Sequence, residues 1–209
     1  MKSYPKIIHL NNQYLNLDCI AFDKIDGSNF RSCFSRKRKC FYKFGTRNVM
    51  IDKSDEQFGD AIDIFINKYS EDLSKIFYDK YPKIDKIIVF GEYFGENSFA
   101  GRHIGTDKKD IVIFDISLHK FGFILPNIFI EQFGHLDIPK VIYEGPFSKE
   151  LIQKVKNNQF NLKEGIIAKG IIKNKNNKDE RWVTKVKTNE WLQKVKSLFG
   201  EKEYLENLI

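Results

Sequence analysis

Cysteine is scarce in this chain of 209 residues: there are three, Cys19, Cys33 and Cys40. None forms a C-x-x-C pair and the number is odd. A reducing compartment, cytoplasmic or nuclear, fits that pattern better than a disulfide framework. Cys19 and Cys33 fall in apolar stretches, where a thiol behaves as a small hydrophobe. The four histidines, His9, His103, His119 and His135, are scattered and offer no zinc-ligand spacing. No apolar run is long enough to span a bilayer. Met1 to Asn12 is polar and lacks the apolar stretch of a secretory leader. No Gly-, Ser- or Pro-rich linker and no internal repeat divides the chain, so residues 1–209 are expected to form a single domain.

Hydrophobic residues make up 42% of the chain, enough for a packed core, and basic residues exceed acidic ones by 35 to 28. The excess is spread along the chain rather than held in a tail. It suits a partner with many phosphates, or simply a well-solvated surface. The abundance of Lys, Asn, Ile and Phe points to an AT-rich genome such as a virus carries.

Leu17 to Phe22 and Phe30 to Phe34 read as strands on either side of a turn at Asp26-Gly27, and Lys39 to Phe44 as a third. Ser54, with Gln57 three residues on, predicts a capped helix start. Phe58, Ile62, Phe65, Ile66 and Tyr69 follow on one helical face. Leu73 to Tyr78 reads as a second short helix ended by Pro82. Ile87 to Phe90 and Ile111 to Ile116 are apolar and β-branched, as in buried strands. Ser148 caps a helix bearing Leu151, Ile152 and Val155. Glu164 to Ile172 and Arg181 to Val186 are strands joined by the polar loop Lys173 to Glu180. A last helix runs from Asn189 to Phe199 with Trp191, Leu192, Val195 and Phe199 inward. The fold class is α+β: antiparallel sheets flanked by helices.

Six short motifs carry chemistry. The first is Asp23-Lys24-Ile25-Asp26-Gly27-Ser28-Asn29-Phe30, a lysine between a strand end and a tight turn. An amine attacks phosphorus only when unprotonated, while free lysine is almost fully charged near neutrality. Burial and nearby cations lower its pKa and make it a nucleophile. The second is Gly45-Thr46-Arg47-Asn48, where an arginine after a strand suits phosphate. The third is Phe90-Gly91-Glu92-Tyr93, with a carboxylate at a strand end that faces either a ribose hydroxyl or a structural cation. In the fourth, around Asp115, Phe114 is either a stacking plate for a purine or a core residue. In the fifth, Glu164-Gly165-Ile166-Ile167-Ala168-Lys169-Gly170, strict alternation places Glu164 and Lys169 on opposite faces unless the strand bends at a glycine. In the sixth, Arg181 to Lys187, Lys185 and Lys187 share a face. Two like charges there repel unless an anion lies between them or the edge is solvated.

Together, and in this order, these motifs resemble the covalent nucleotidyltransferase superfamily of polynucleotide ligases and mRNA capping enzymes. The first looks most like the phage double-strand RNA ligases and RNA-editing ligases, whose pattern is E-K-[IV]-H-G-[AT]-N-F. Here Asp26 stands at the histidine position, giving the K-x-D-G of DNA ligases and capping enzymes, and Asp23 at the glutamate position. The resemblance implies an adenylation domain without an appended OB domain, and an ATP-dependent RNA ligase that joins 5′-phosphate and 3′-hydroxyl ends. The alternatives are a minimal DNA ligase, a capping guanylyltransferase and a non-catalytic binder of nucleic-acid ends.

It further implies that Lys24 carries AMP as a phosphoramidate, with Asp26 beside it, while Asp23 and Ile25 flank the bound nucleotide. Asn29 meets a terminal phosphate, Arg47 binds phosphate, Glu92 the ribose, and Phe114 stacks on adenine. Glu164 helps place Mg²⁺ or Mn²⁺, with Lys169 near it, and Lys185 and Lys187 neutralise the phosphates. The expected partner is a nicked duplex of RNA or containing RNA, gripped alone or with a helper protein, and no membrane.

Overall fold

The computed structural model of the protein describes residues 1–95 and 108–207. His103 lies outside them. In chain order the elements are β1 (Asp18–Asp23), β2 (Ser28–Ser35), β3 (Cys40–Gly45), β4 (Met50–Ile51), α1 (Gly59–Lys80), β5 (Lys86–Phe94), β6 (Asp110–Leu118) and β7 (Gly122–Phe123). There follow α2 (Pro126–Phe133), β8 (Val141–Pro146), α3 (Lys149–Lys156), β9 (Gly165–Lys173), β10 (Asp179–Lys187), α4 (Asn189–Phe199) and α5 (Glu201–Asn207). The strands form two antiparallel sheets, one ordered β4-β3-β2-β5-β6-β7 and the other β10-β9-β1-β8. The α+β class expected from the pattern is the class observed. No helix among the described residues is long and apolar enough to cross a membrane.

The chain divides into two compact units. The first comprises Met1–Pro5, Asp26–Ile124 and Ile128–Ile138; the second comprises Lys6–Ile25, Leu125–Asn127 and Pro139–Ile209. One boundary falls between Ile25 and Asp26, inside the first motif.

In the first unit, α1 lies across the six-stranded sheet. Ala61, Ile62, Phe65, Tyr69, Leu73 and Phe77 are buried at spacings of one helical face. They meet Phe30 and Phe34 of β2, Val89 and Tyr93 of β5, and Ile111 and Ile113 of β6. Aromatic rings fill this interior: Phe65 stands 5.3 Å from Phe30 and 5.0 Å from Phe41, and Phe77 5.5 Å from Phe34. The helix starts at Gly59, not Ser54, and its cap position, Phe58, makes no side-chain capping bond. Asp52 accepts from the Ser54 amide, and Asp55 from the amides of Gln57 and Phe58. These aspartates hold local turns that compete with the helix, and Ser54 is spent on Asp52 instead of capping. Leu73 to Tyr78 is not a separate helix but the end of the same 22-residue one.

Two irregularities turn extra side chains onto the sheet face away from α1. The β2–β3 register jumps so that Tyr42 has no partner, and the β5–β6 register jumps at Phe114. Such bulges re-aim a side chain at the cost of one ladder position. On that outer face the N-terminal segment is tied down. Tyr4 donates to Asp115 at 2.7 Å, and the Arg31 guanidinium donates to the Met1 carbonyl and the Ser3 hydroxyl.

In the second unit, α3 packs Leu151 and Val155 on one face of the four-stranded sheet, against Ala21, Ile166, Ala168, Trp182 and Val186. Ser148 caps α3 through the Leu151 amide, as its sequence predicts. Residues around His9 pair with β10 at Lys185 and cover that edge. In α4, Trp191, Leu192 and Val195 are inward, but Phe199 is 43% exposed. Gly200, at φ 87°, ends α4 one residue later and starts a separate turn of chain into α5. That places Phe199 on the outer side of the break.

Replacing Phe65 with Ala removes the ring at the centre of the first unit. Urea unfolding should report a loss of about 3–5 kcal/mol. A loss under about 1 kcal/mol, the scale of a surface change, would contradict this account of the core.

Candidate active site

Lys24 follows directly on β1 and is fixed from both sides. The Asp23 amide donates to the Lys140 carbonyl at 2.8 Å, and the Lys24 amide to the Gly165 carbonyl at 2.9 Å. The side chain then reaches Glu164, whose Oε2 lies 2.7 Å from Nζ. The other oxygen of Glu164 lies 3.5 Å from Nζ of Lys187. One carboxylate thus joins the first, fifth and sixth motifs.

Gly165 makes this possible. A Cβ there would stand 2.0 Å from the Val186 carbonyl oxygen and 2.8 Å from Cα of Lys187. Only glycine lets β9 begin so close to the end of β10. The Thr188 amide donates to the Glu164 carbonyl, and the Thr188 hydroxyl caps α4 through the Trp191 amide. The cap places the Trp191 ring 4.1 Å from Nζ of Lys187, within cation–π range.

Cross-strand pairing settles where the remaining lysines point. Lys187 lies opposite Gly165, Lys185 opposite Ile167, and Lys169 opposite Val183. Lys169, Lys185 and Lys187 therefore share the sheet face away from α3, while Glu164 precedes the strand and is exempt from its alternation. Lys169 is buried, with Nζ 5.0 Å over the Phe22 ring. Lys187 is 3% exposed. Its burial lowers its pKa to about 8; Glu164 opposes the shift, and Lys24 and Lys185 add to it. Asp23 is half-buried, and burial raises its carboxyl pKa against the pull of Lys163. Its Oδ1 has no hydrogen-bond partner.

The other residues named from sequence lie in the first unit, apart from Ile25, which is half-buried just after Lys24. Asp26 opens that unit. Gly27 brings the turn against β5, where a Cβ would meet the Tyr93 carbonyl oxygen at 2.4 Å. The neighbour that demands glycine is thus backbone of the protein itself. Asn29 and Glu92 face one another across β2 and β5 on the outer face of the sheet, and Asn29 Oδ1 is buried without a partner. Phe114 is half-buried on that face, its ring edge-on to Tyr4 at 5.0 Å, outside the core that α1 covers. Arg47 is exposed in the turn between β3 and β4.

The pattern of motifs did not single out Trp191 or Phe22 as partners of lysines. Both were read as apolar core positions. The position of Trp191 in the first turn after Lys187 is the signal that could have found it. Among the described residues no group of three His, Cys, Asp or Glu is placed to hold a metal. Glu164 is therefore a single carboxylate. It fits an ion held mainly by phosphate and water, as Mg²⁺ often is.

The site is thus a lysine at a strand end, clamped by backbone and paired with a carboxylate amid further lysines. The sequence model of the family described as RNA ligase matches residues 18–187, and the chain belongs to that family. No curated protein matches the chain. Among solved structures, Naegleria gruberi RNA ligase with PPi is similar at TM-score 0.64 and 14% identity, over 94% of this chain. A variant of the same ligase with ATP and Mn is similar at TM-score 0.65 and 14% identity over 93%. Another with AMP and Mn is similar at TM-score 0.64 and 13% identity over 97%. This chain spans 58–59% of the length of those chains. At such identity the likeness establishes the fold: antiparallel sheets flanked by helices, as in an RNA ligase.

The buried lysine has a consequence for stability. Between the folded pKa of about 8 and the ordinary 10.5 of Lys187, the unfolded chain binds more protons than the folded one. Stability therefore rises with pH across that window, and the cost of burying the charge is full below it. Because only the parent gains stability across that window, the stability of Lys187→Met relative to the parent should fall as pH rises from about 8 to 10.5, read by urea unfolding at each pH. A difference that ignores pH would show that burial does not lower the Lys187 pKa.

Proposed function

We propose that the protein is an ATP-dependent RNA ligase that joins a 5′-phosphate to a 3′-hydroxyl through AMP carried on Lys24. The observation that carries this reading is the Lys24–Glu164–Lys187 cluster, with a strand-end amine 2.7 Å and a buried lysine 3.5 Å from one carboxylate.

In the first step Lys24 sheds its ammonium proton to solvent, while Glu164 stays a carboxylate and holds the amine in place. Nζ then attacks the α-phosphorus of ATP, the P–N bond forms, and the bond to pyrophosphate breaks. Lys185 and Lys187 neutralise the charge gathering on the departing phosphates, since phosphoryl transfer leaves the protein mainly positioning and charge neutralisation. In the second step an oxygen of the RNA 5′-phosphate displaces Nζ from phosphorus, and the amine recovers its proton. In the third, the 3′-hydroxyl loses its proton to solvent as its oxygen attacks the 5′-phosphorus, and the phosphoanhydride bond to AMP breaks. Glu164 is the residue that would hold Mg²⁺ or Mn²⁺, which supplies further positive charge at the phosphates. Naegleria gruberi RNA ligase has been seen with ATP, AMP and Mn, which supports the choice of nucleotide and ion.

The resemblance assigns nucleotide roles to residues of the first unit as well: Arg47 to phosphate, Glu92 to ribose, Phe114 to adenine and Asn29 to the terminal phosphate. The position of Phe114 off the core supports its assignment. The substrate proposed is a nicked RNA duplex, alone or with a helper protein. The compartment proposed is a reducing one, cytoplasmic or nuclear. Asp26 favours a second reading, sealing of DNA, because K-x-D-G is the form found in DNA ligases.

Incubation with α-labelled ATP or α-labelled GTP and Mg²⁺, followed by denaturing electrophoresis, should leave acid-labile label from ATP alone. Label from GTP alone would move the reading to capping, and none from either would refute it. Nicks with a 3′-ribose end should be sealed faster than those with a 3′-deoxyribose end; equal rates would favour the DNA reading. Phe114→Ala should raise the KM for ATP by about tenfold, and an unchanged KM would remove Phe114 from the nucleotide site.

A further inference from the structure

The antiparallel order of the six-stranded sheet gathers positive charge at one of its ends. The turn joining β2 to β3 carries Lys37, Arg38 and Lys39, β5 starts at Lys86, and the turn joining β6 to β7 carries His119 and Lys120. Backbone bonds tie these pieces side by side: the Arg36 amide donates to the Asp85 carbonyl, and the His119 amide to the Lys86 carbonyl. On the outer face, just inside this end, is a cavity of about 320 Å³ lined by Lys2, Cys33, Tyr42, Lys43, Lys86 and His119, with Met1 and Ile88. No carboxylate lines it. Asp85, whose charge reaches Tyr42, accepts a hydrogen bond from the Lys37 amide. Two of the three lining lysines rest on aromatic faces, Lys2 over Phe123 at 4.9 Å and Lys43 over Tyr42 at 5.7 Å. The bulge in β3 is what turns Tyr42 into this hollow.

Like charges gathered around a hollow repel one another unless an anion joins them. Here they continue past the hollow as a line along the sheet end, which suits a chain of phosphates better than one small anion. Phe121, 75% exposed, projects from the same line beside His119 and Lys120, an aromatic among cations of the kind on which unpaired bases stack. We propose that this basic rim binds the backbone of an RNA strand, as a contact separate from Glu92 and Asn29. The inference rests on the RNA ligase reading for the identity of the polymer. From Asn29 to Ser35 along β2 the strand rises about 20 Å, so the rim engages RNA several nucleotides from any end held near Asn29.

The test compares Lys43→Gln/Lys86→Gln/Lys120→Gln with a control of equal charge change, Lys149→Gln/Lys154→Gln/Lys194→Gln on α3 and α4. The probe is a fluorescein-labelled RNA oligonucleotide, with Kd measured by anisotropy across a salt series. The rim variant should bind more weakly, with the slope of log affinity against log salt shallower by about 2, while the control keeps the parent slope. Phe121→Ser should weaken binding by about fivefold at constant slope. Equal slopes in rim variant and control would overturn the proposal. Rim-dependent binding of inorganic tripolyphosphate with RNA affinity unchanged would also overturn it, in favour of a small-anion site. Attachment of labelled AMP, followed in parallel, should stay at the parent level in every variant. Its absence from the parent protein would refute the ligase reading, and the salt slopes would still decide the rim.

Discussion

The carboxylate of Glu164 lies between two amines, Lys24 at 2.7 Å and Lys187 at 3.5 Å, and much of the second unit is arranged to keep it there. A largely buried carboxylate is tolerable only with such partners, and a buried lysine only beside such a carboxylate. Gly165 allows β9 and β10 to close to a distance at which no other residue fits. Thr188 joins the Glu164 carbonyl to the start of α4, and α4 sets Trp191 against Lys187. Amide bonds to Lys140 and Gly165 hold the chain on both sides at Asp23 and Lys24. The amine that the chemistry needs is therefore positioned by backbone. Its side chain is paired with the Glu164 carboxylate.

Much of this could be read in the residues alone. The strands on either side of Asp26-Gly27, the cap at Ser148 and the helix at Asn189 each carry local signals that tertiary packing did not override. Lys24, Glu164, Lys169, Lys185 and Lys187 could be named from their motifs. The side shared by Lys169 and Lys187 could not, because it depends on where β9 begins. Glu164 lies just before the strand, so counting from it by alternation misleads. Ser54 misleads in another way: its hydroxyl donates to Asp52, while Asp55 takes the amides of Gln57 and Phe58, and the helix starts only at Gly59. The aromatic partners of the lysines, Phe22 and Trp191, look like any core residue in a sequence. α2 and β8 are hard to see in the sequence: α2 is only eight residues long with Pro126 as its one start signal, and β8 is broken by Glu144 and Gly145.

In the first unit the bulges at Tyr42 and Phe114 do what a regular strand cannot. Each adds an aromatic ring to the outer face without taking one from the core beneath α1. The core stays aromatic and closed, while the outer face acquires Asn29, Glu92 and Phe114 toward one end and a basic rim at the other. Bulges leave no trace in hydrophobic periodicity except a local break in alternation. That is why alternation alone could not place Phe114 outside the core beneath α1.

The central claim is that Lys24, and no other lysine of the cluster, becomes covalently linked to nucleotide. The most direct measurement is to incubate the protein with ATP and Mg²⁺, digest it under conditions that preserve phosphoramidates, and locate the added AMP by tandem mass spectrometry. The account predicts AMP on Lys24 and on no other residue. AMP on Lys169, Lys185 or Lys187 instead would contradict the assignment of the nucleophile and the role given to Glu164.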